Sequence, residues 1–202
     1  MRRGLLSRIL STARLGDEKV IAASSSLRIV ITGFMGAGKS TVAASLAHQL
    51  NCEMLDLDEF LIKREGRTIR AIIDEDGEPQ FREAETRALR EALENNSASI
   101  IALGGGTWTL ECNRALIAEH NYFTVWLDAP FELCWHRITS GGNSTEGNIR
   151  PLARNRDAAR KLYQQRRVLY GLATLRVEAD AEKDLDYIVA TIINAAKIKA
   201  AL

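Results

Sequence analysis

The chain has 202 residues, 46% of them hydrophobic and 26% charged, and its 27 basic and 26 acidic side chains leave a net charge of +1. This composition is typical of a globular protein, and the balanced charge gives no indication of a nucleic acid or a membrane surface as partner. The three cysteines are odd in number and far apart, so we predict neither a disulfide framework nor a structural zinc site.

Residues 1–26 precede the first predicted strand, and we expect them to form an N-terminal extension, disordered or helical, of a domain that spans residues 27–202. Their arginines alternate with leucine and isoleucine, as in organellar transit peptides, but Asp17 and Glu18 are acidic residues that such peptides avoid. We therefore expect a cytoplasmic protein, with organellar import as the alternative. No stretch of the sequence approaches the roughly 18 apolar residues that a membrane-spanning helix needs.

Short runs rich in β-branched residues alternate with helical patterns from residue 27 onwards. The runs predicted as strands are 27–32, 52–58, 97–103, 122–128 and 174–179. The stretches predicted as helices are 40–50, 59–65, 68–73, 78–96, 110–119, 130–137 and 157–170, followed by a C-terminal helix. Strands that alternate with helices predict βαβ units and one doubly wound parallel sheet. The glycine-rich, basic segment 139–156 exceeds an ordinary connection, and such long loops are usually functional or disordered.

The sequence "GFMGAGKST", residues 33–41, matches the phosphate-binding pattern G-x-x-x-x-G-K-[ST] and lies between a predicted strand and a predicted helix. Its glycines allow backbone N–H groups to face phosphate oxygens, and the helix N-terminus adds a positive partial charge. Lys39 can reach the β- and γ-phosphates, and the Ser40 hydroxyl can bind Mg²⁺. The motif predicts nucleotide binding without identifying the acceptor, because ATPases, GTPases and small-molecule kinases all use it.

Asp56 and Asp58 close the second predicted strand, at the sheet edge where ligands bind in α/β proteins. A spacing of two residues places both side chains on one face of an extended chain. One carboxylate could help to hold hydrated Mg²⁺, and the other could accept a proton from an acceptor hydroxyl. The alternative is that Asp58 caps the following helix while Asp56 is solvated.

From Leu27 to about Asp180 the sequence resembles the shikimate kinase family. The matching motifs, in chain order, are "GFMGAGKST", "LDLDEF", "GRTIRAIIDEDGEPQFREAE", "LGGGT", "IRPL" and "LYQQRRVLY". Their joint order separates the chain from adenylate, gluconate and other small P-loop kinases. The resemblance implies a P-loop NTPase fold like that of nucleoside monophosphate kinases, with a five-stranded parallel sheet, helices on both faces and a mobile lid. It also implies a monomer that transfers the γ-phosphoryl group of ATP, with Mg²⁺, to the 3-hydroxyl of shikimate.

On the donor side, the resemblance implies that one continuous segment wraps the ATP phosphates. Its members are Gly36, Ala37, Gly38, Lys39, Ser40 and Thr41. Ser40 would bind Mg²⁺ directly and Asp56 through water. Arg150 would lie in the lid and neutralise charge on the transferring phosphoryl group.

On the acceptor side, the resemblance implies that Asp58 holds the hydroxyl groups and acts as the candidate base. Arg82 and Arg166 would bind the carboxylate of shikimate, and Gly105 would contact the substrate through its backbone. Glu85 would support the arginines without touching the substrate. An isolated arginine is usually a solvated surface charge, so the residues alone leave that alternative open.

Some positions depart from the family pattern. Ile62 stands where a glutamate is usual, Ile73 where a phenylalanine is usual, and Trp108 is bulkier than the expected residue. The segment "GGNSTEGNIRPL" is a few residues longer than in compact members. Two consequences are open: the three side chains reshape the acceptor pocket for a related hydroxy acid, or they repack its wall and leave specificity intact.

Two arginine assignments and one functional alternative also stay open. Arg137 is slightly displaced from the arginine that often stacks on adenine before the lid. Arg166 and Arg167 are adjacent, and we favour Arg166 because of the leucine four residues before it and the "LY" after it. A non-catalytic module that binds nucleotide and regulates a partner would share the phosphate-binding motif, although it would be expected to lose the residues of the chemistry.

Overall fold

Five parallel strands form the centre of the computed structural model, which describes residues 27–95, 98–140, 155–180 and 182–201. The strands are β1 (Ile29–Thr32), β2 (Met54–Asp56), β3 (Ile100–Ala102), β4 (Phe123–Asp128) and β5 (Leu175–Glu178). Their order in the sheet is β2-β3-β1-β4-β5, and every neighbouring pair is parallel. The predicted five-stranded parallel sheet is confirmed.

Helices connect the strands in the order that the sequence predicts. They are α1 (Lys39–Leu50), α2 (Leu57–Glu65), α3 (Ile69–Asp76), α4 (Glu78–Asn95), α5 (Glu111–Glu119), α6 (Phe131–Thr139), α7 (Arg156–Tyr170) and α8 (Leu185–Ala200). A short 3₁₀ turn, Thr107–Thr109, follows β3. Ile29, Val30 and Ile31 on the central strand are all fully buried. Since successive strand side chains point to opposite faces, this burial requires cover on both faces of the sheet.

Local side chains set the bounds of several helices. The hydroxyl of Thr68 accepts a hydrogen bond from the Ala71 N–H (3.1 Å) and caps α3, as predicted. Gly66 ends α2 in the left-handed conformation, with a φ of 65°. The predicted strand 52–58 is shorter in the structure, because the carboxylate of Asp56 accepts hydrogen bonds that begin α2.

The alternative of a capping role for Asp58 is therefore wrong in detail. Asp56 is the cap: its Oδ1 accepts the N–H groups of Asp58 (3.0 Å) and Glu59 (3.3 Å). Asp58 lies in the first turn of α2 instead of on the strand. The two aspartates still lie at the carboxyl edge of the sheet, because Asp56 pairs with Ala102 on β3.

The parallel register brings three connections to one edge of the sheet. Ala102 on β3 is paired in register with Ile31 on β1 and with Asp56 on β2. The segments after these strands therefore leave the sheet side by side, where open α/β sheets bind their ligands. The N-terminal extension and the lid segment around Arg150 lie outside the described residues. Within the part of the chain that the structure describes, no helix is both long and apolar enough to cross a membrane.

Candidate active site

A cleft of about 1020 Å³ lies at the carboxyl edge of the sheet. The loop between β1 and α1 forms one wall, Asp56 and Asp58 lie on a second, and Gly105 lies at the boundary between them. The last turn of α6 and the connection from β5 to α8 complete the lining. The cleft thus brings the predicted phosphate-binding loop together with Asp58 and Gly105, two of the predicted acceptor residues.

The phosphate-binding loop is shaped by glycines in conformations that other residues rarely adopt. Gly36 and Gly38 have φ values of 76° and 97°. A Cβ atom on Gly36 would lie 2.6 Å from the carbonyl oxygen of Cys134, so α6 packs directly against the loop. Burial raises the pKa of the Cys134 thiol to about 11, so this buried side chain is neutral at physiological pH.

The donor-side polar residues contact each other and the loop. Lys39 donates its Nζ hydrogen to the carbonyl oxygen of Phe34 (3.0 Å), which also accepts the Ala37 N–H (3.1 Å). The Ser40 hydroxyl donates to Oδ2 of Asp56 (2.5 Å). Ser40 and Asp56 therefore present adjacent hard oxygen atoms beside the phosphate-binding loop, the type of donor that Mg²⁺ prefers.

The second part of the site is built on residues 104–106, which we name the glycine turn. All three glycines are buried. A Cβ atom on Gly104 would lie 2.6 Å from Oδ1 of Asp58 and 2.7 Å from Oε1 of Glu85. Both carboxylates therefore rest on the bare backbone of the turn, and a side chain at Gly104 would displace them.

Arg82 occupies the next position along the same turn. Its guanidinium lies against Gly106: a Cβ atom added to Gly106 would lie 2.6 Å from Cζ of Arg82. Nη1 of Arg82 donates to Oε2 of Glu85 (2.7 Å), and Nη2 donates to Oε1 of Glu78 (3.1 Å). Glu85 is fully buried, and its second oxygen accepts a hydrogen bond from the Thr107 hydroxyl (2.7 Å). Arg82 is thereby held in one orientation at the edge of the turn.

Arg166 approaches the turn from α7. It is only 7% exposed, and its Nη1 donates to the carbonyl oxygen of Gly105 (3.2 Å). The hydroxyl of Tyr170 donates to the same oxygen (2.5 Å), and the indole N–H of Trp108 donates to the Leu169 carbonyl (2.9 Å). Three hydrogen bonds therefore join the C-terminal half of α7 to the glycine turn and to the residues just after it.

Arg167 points to a different part of the molecule. Its Nη2 donates to Oδ2 of Asp128 (2.6 Å), an oxygen that also accepts from Nε of Arg176 (2.8 Å). The hydrogen bond to Asp128 raises the pKa of the Arg167 guanidinium above its usual range. The structure therefore places Arg166, and not its neighbour, against the glycine turn that Asp58 and Arg82 also contact.

The three departures from the family pattern have different surroundings. Ile62 lines the cleft. Trp108 is 4% exposed and joins the glycine turn to α7, while Ile73 is partly buried against the hydrophobic core. Trp108 is thus a structural contact, and Ile62 is the departure that faces the cleft.

Several site residues were not singled out as ligands from the sequence. Tyr170 and Thr107 lie within motifs that match the family, but their contacts with partners 65 and 22 residues away follow only from the fold. Arg137, considered as an adenine contact, donates to the carbonyl oxygens of Gly36 (3.1 Å) and Ala37 (3.2 Å), and its contact with adenine stays a prediction. The predicted contribution of Arg150 lies outside the described residues.

Comparison with known proteins gives a consistent family. The family model described as "Shikimate kinase" matches residues 35–197. The shikimate kinase of Cereibacter sphaeroides is 37% identical over 166 residues, which cover 81% of this chain and 79% of that protein. The shikimate kinase of Ruegeria pomeroyi is 35% identical over 170 residues, with 83% of each chain covered.

Solved structures lead to the same family. Shikimate kinase from Acinetobacter baumannii in complex with shikimate superposes with a TM-score of 0.76 at 30% identity, covering 90% of this chain and 99% of that chain. Shikimate kinase from Aquifex aeolicus gives a TM-score of 0.71 at 32% identity, covering 86% and 98%.

Proposed function

The chain belongs to the shikimate kinase family, and we propose that it transfers the γ-phosphoryl group of ATP to the 3-hydroxyl of shikimate, giving shikimate 3-phosphate and ADP. The observation that carries this choice of acceptor is the convergence of one carboxylate and two arginines on the glycine turn. An acceptor with hydroxyl groups at one end and a carboxylate at the other complements Asp58 on one side and Arg82 with Arg166 on the other.

The acceptor residues would have two roles: the arginines would bind the substrate carboxylate, and Asp58 would accept the proton. Two of the five N–H donors of Arg82 are used by Glu78 and Glu85, which leaves others for a substrate carboxylate. Arg166 would supply the second cation from the opposite side of the turn. Asp58 would accept a hydrogen bond from the reacting hydroxyl and take its proton as the bond to phosphorus forms and ADP leaves.

The donor residues would hold the triphosphate in line with that hydroxyl. Lys39 would exchange its contact with Phe34 for the β- and γ-phosphates, and the loop N–H groups would bind the remaining oxygens. Ser40 would hold Mg²⁺ directly and Asp56 through water, and their adjacent oxygens fit such an ion. When bound, Mg²⁺ neutralises charge on the phosphate oxygens. Arg150 would add a further positive charge at the transferring group.

The setting of the reaction is part of the same proposal. We infer a monomer, which is what the resemblance to the shikimate kinase family implies. We also infer a cytoplasmic enzyme with residues 1–26 as an extension outside the catalytic domain, and a small molecule as its partner. The net charge of +1 supports this choice over a nucleic acid.

The test is ADP release by the purified protein with MgATP, with and without shikimate, together with mass detection of the product. We expect strong shikimate dependence, one phosphoryl group added to shikimate, and loss of both signals in Lys39→Met. Binding of ATP without stimulation by shikimate would contradict the acceptor and favour the non-catalytic module or a different acid. Absence of ATP binding would contradict the kinase itself.

Ile62 is the reason for testing more than one acceptor, because this departure from the family pattern lines the cleft. Shikimate, quinate and gluconate carry both hydroxyl and carboxylate groups in different geometries. We expect kcat/KM for shikimate to exceed that of the others by at least about tenfold, since a site built from hydrogen-bonding groups rejects ligands that leave them unpaired. A higher value for another acid would reassign the substrate.

A further inference from the structure

The C-terminal end of α7 carries two side chains that reach one backbone oxygen of the glycine turn. Nη1 of Arg166 (3.2 Å) and the hydroxyl of Tyr170 (2.5 Å) both donate to the carbonyl oxygen of Gly105. The two residues are four apart, so their side chains share one face of the helix. Both are buried, with exposed fractions of 7% and 1%. A carbonyl oxygen has two lone pairs, and these two donors can occupy both of them.

The two hydrogen bonds to this oxygen differ in length relative to what is usual for each type. N–H···O bonds in proteins are most often about 2.9–3.0 Å long, and O–H···O bonds about 2.7–2.8 Å. The bond from Tyr170 is therefore short for its type, and the bond from Arg166 is long. Tyr170 is thus the main donor to the Gly105 carbonyl, and the guanidinium of Arg166 is held only loosely to it.

The position of Tyr170 beside the glycine turn is fixed by two further contacts. The indole N–H of Trp108, two residues after the turn, donates to the carbonyl of Leu169 (2.9 Å), the residue before Tyr170. The ring of Tyr170 also lies against the ring of Trp126 on β4, with centroids 6.2 Å apart. Trp108, which is bulkier than the residue usual in the family, therefore helps to hold the Tyr170 hydroxyl on the Gly105 oxygen.

We propose that Tyr170 is a positioning residue for the carboxylate of the acceptor. Its hydroxyl satisfies the Gly105 carbonyl and thereby leaves the guanidinium of Arg166 at the position from which it binds the carboxylate. Without that hydroxyl the buried carbonyl loses its closer donor, and Arg166 moves toward the oxygen because an unsatisfied buried acceptor is costly. The inference rests on the proposed function, in which Arg166 binds the carboxylate.

The test is the steady-state kinetics of Tyr170→Phe with saturating MgATP and varied shikimate. The aromatic ring is retained, so the contact with Trp126 stays and the hydroxyl alone is lost. We expect KM for shikimate to rise by about threefold to tenfold, as for the loss of one hydrogen bond, with kcat within about twofold of the wild-type value. An unchanged KM, or a loss confined to kcat, would overturn the proposal.

Tyr163→Phe is the matched control. Tyr163 also lies on α7 and is 8% exposed, and its hydroxyl donates to another backbone carbonyl, that of Ala129 (3.0 Å). Both variants should lower the melting temperature by a few degrees, because each loses one buried hydrogen bond. Tyr163→Phe should leave KM for shikimate within about twofold, since substitutions without shared partners act independently. An equal rise in KM in both variants would reduce the effect to a loss of stability and overturn the proposal.

A double-mutant cycle with Arg166→Met tests whether Tyr170 acts through Arg166. In the Arg166→Met background, Tyr170→Phe should change kcat/KM for shikimate by less than about twofold, because the guanidinium that it positions is already absent. The same loss in both backgrounds would mean that Tyr170 shapes the pocket directly, and would overturn the proposal. A wild-type protein that phosphorylates quinate or gluconate instead of shikimate would contradict the proposed substrate alone, and the same cycle with that acid would still decide the role of Tyr170.

Discussion

The two halves of the cleft are constructed in opposite ways. The centre of the donor half is one continuous segment, residues 33–41, whose shape comes from glycine backbone conformations. The acceptor half consists of side chains from separate helices: Asp58 from α2, Arg82 from α4 and Arg166 from α7, all placed against the glycine turn. Backbone conformation therefore defines one half, and charged side-chain packing defines the other.

This difference predicts how ligand binding in each half responds to substitutions. The shape of the phosphate-binding loop comes from its own backbone and not from the acceptor side chains, so donor binding should survive most substitutions in the acceptor half. A buried charge network is cooperative, because removal of one partner leaves the other buried without compensation. Substitutions around Glu85 should therefore affect acceptor binding and leave nucleotide affinity nearly constant. Each prediction below tests that separation.

The largest effect is expected for Asp58→Asn. The amide cannot accept the proton of the reacting hydroxyl, so kcat should fall by about 10³-fold, within the range for loss of a general base. The ATP dissociation constant, measured by calorimetry, should stay within about twofold, because no atom of the phosphate-binding loop is changed. A kcat within tenfold of the wild-type value would remove Asp58 from the proton transfer.

A second prediction separates two adjacent arginines. Arg166→Met should raise KM for shikimate by about a hundredfold, since a charge-assisted contact with the carboxylate is lost. Arg167→Met should leave KM unchanged. The melting temperature should fall because Asp128 loses one partner, but only by a few degrees because Asp128 keeps Arg176. Steady-state kinetics and thermal unfolding of both variants provide the measurement. The reverse pattern would reassign the substrate contact to Arg167.

A third prediction uses the contact between Gly106 and Arg82. In Gly106→Ala the added methyl group would overlap the guanidinium, so Arg82 must move and KM for shikimate should rise by about tenfold to thirtyfold. Gly66→Ala is the control. A methyl group at this position would meet no other atom, but the residue has a φ of 65°, which alanine adopts only with strain. The substitution should therefore cost about 1 kcal/mol of stability without changing KM. If both variants lose acceptor affinity equally, the effect arises from general destabilisation.

The smallest of these effects is expected for Thr107→Val, which removes the hydroxyl bound to Glu85. The buried carboxylate oxygen loses a hydrogen bond, which should loosen Arg82 and raise KM for shikimate by about threefold to tenfold at nearly constant kcat. Thr107→Ser should restore the wild-type KM. Thr124→Val removes a comparable hydroxyl that bonds to Thr174 (2.9 Å), away from the cleft, and should lower stability alone. A raised KM in the serine variant would argue against positioning through Glu85.

The sequence predicts the fold well because its signals are local. Alternating strand and helix patterns, the capping residue Thr68 and the terminating Gly66 each act within a few residues. The strand predicted over 52–58 is longer than the strand in the structure, because the sequence pattern does not reveal that the Asp56 carboxylate begins a helix. Competition between a strand and a side-chain cap is decided by hydrogen bonds that the pattern does not contain.

The parts of the site that are contiguous in the sequence can be predicted from it, whereas the parts that depend on tertiary packing cannot. The phosphate-binding loop is contiguous, so its motif indicates it directly. The partner of Arg137 lies about 100 residues away, and its contact with the loop follows only from the packing of α6. From the sequence, Trp108 could either reshape the acceptor pocket or repack its wall. In the structure it is a buried link to α7. The sequence does not decide between the two, because the direction of a side chain after a turn depends on tertiary packing.

The closeness of the two halves has a consequence for inhibitor design. A Cβ atom on Gly105 would lie only 3.3 Å from the backbone nitrogen of Met35 and 3.7 Å from the carbonyl oxygen of Gly33. The acceptor turn and the phosphate-binding loop are thus in direct backbone contact, with no side chain between them. A bisubstrate compound that joins an acceptor-like ring to a phosphate chain therefore needs only a short tether, and a long flexible linker would add an entropic cost without reaching any further contact.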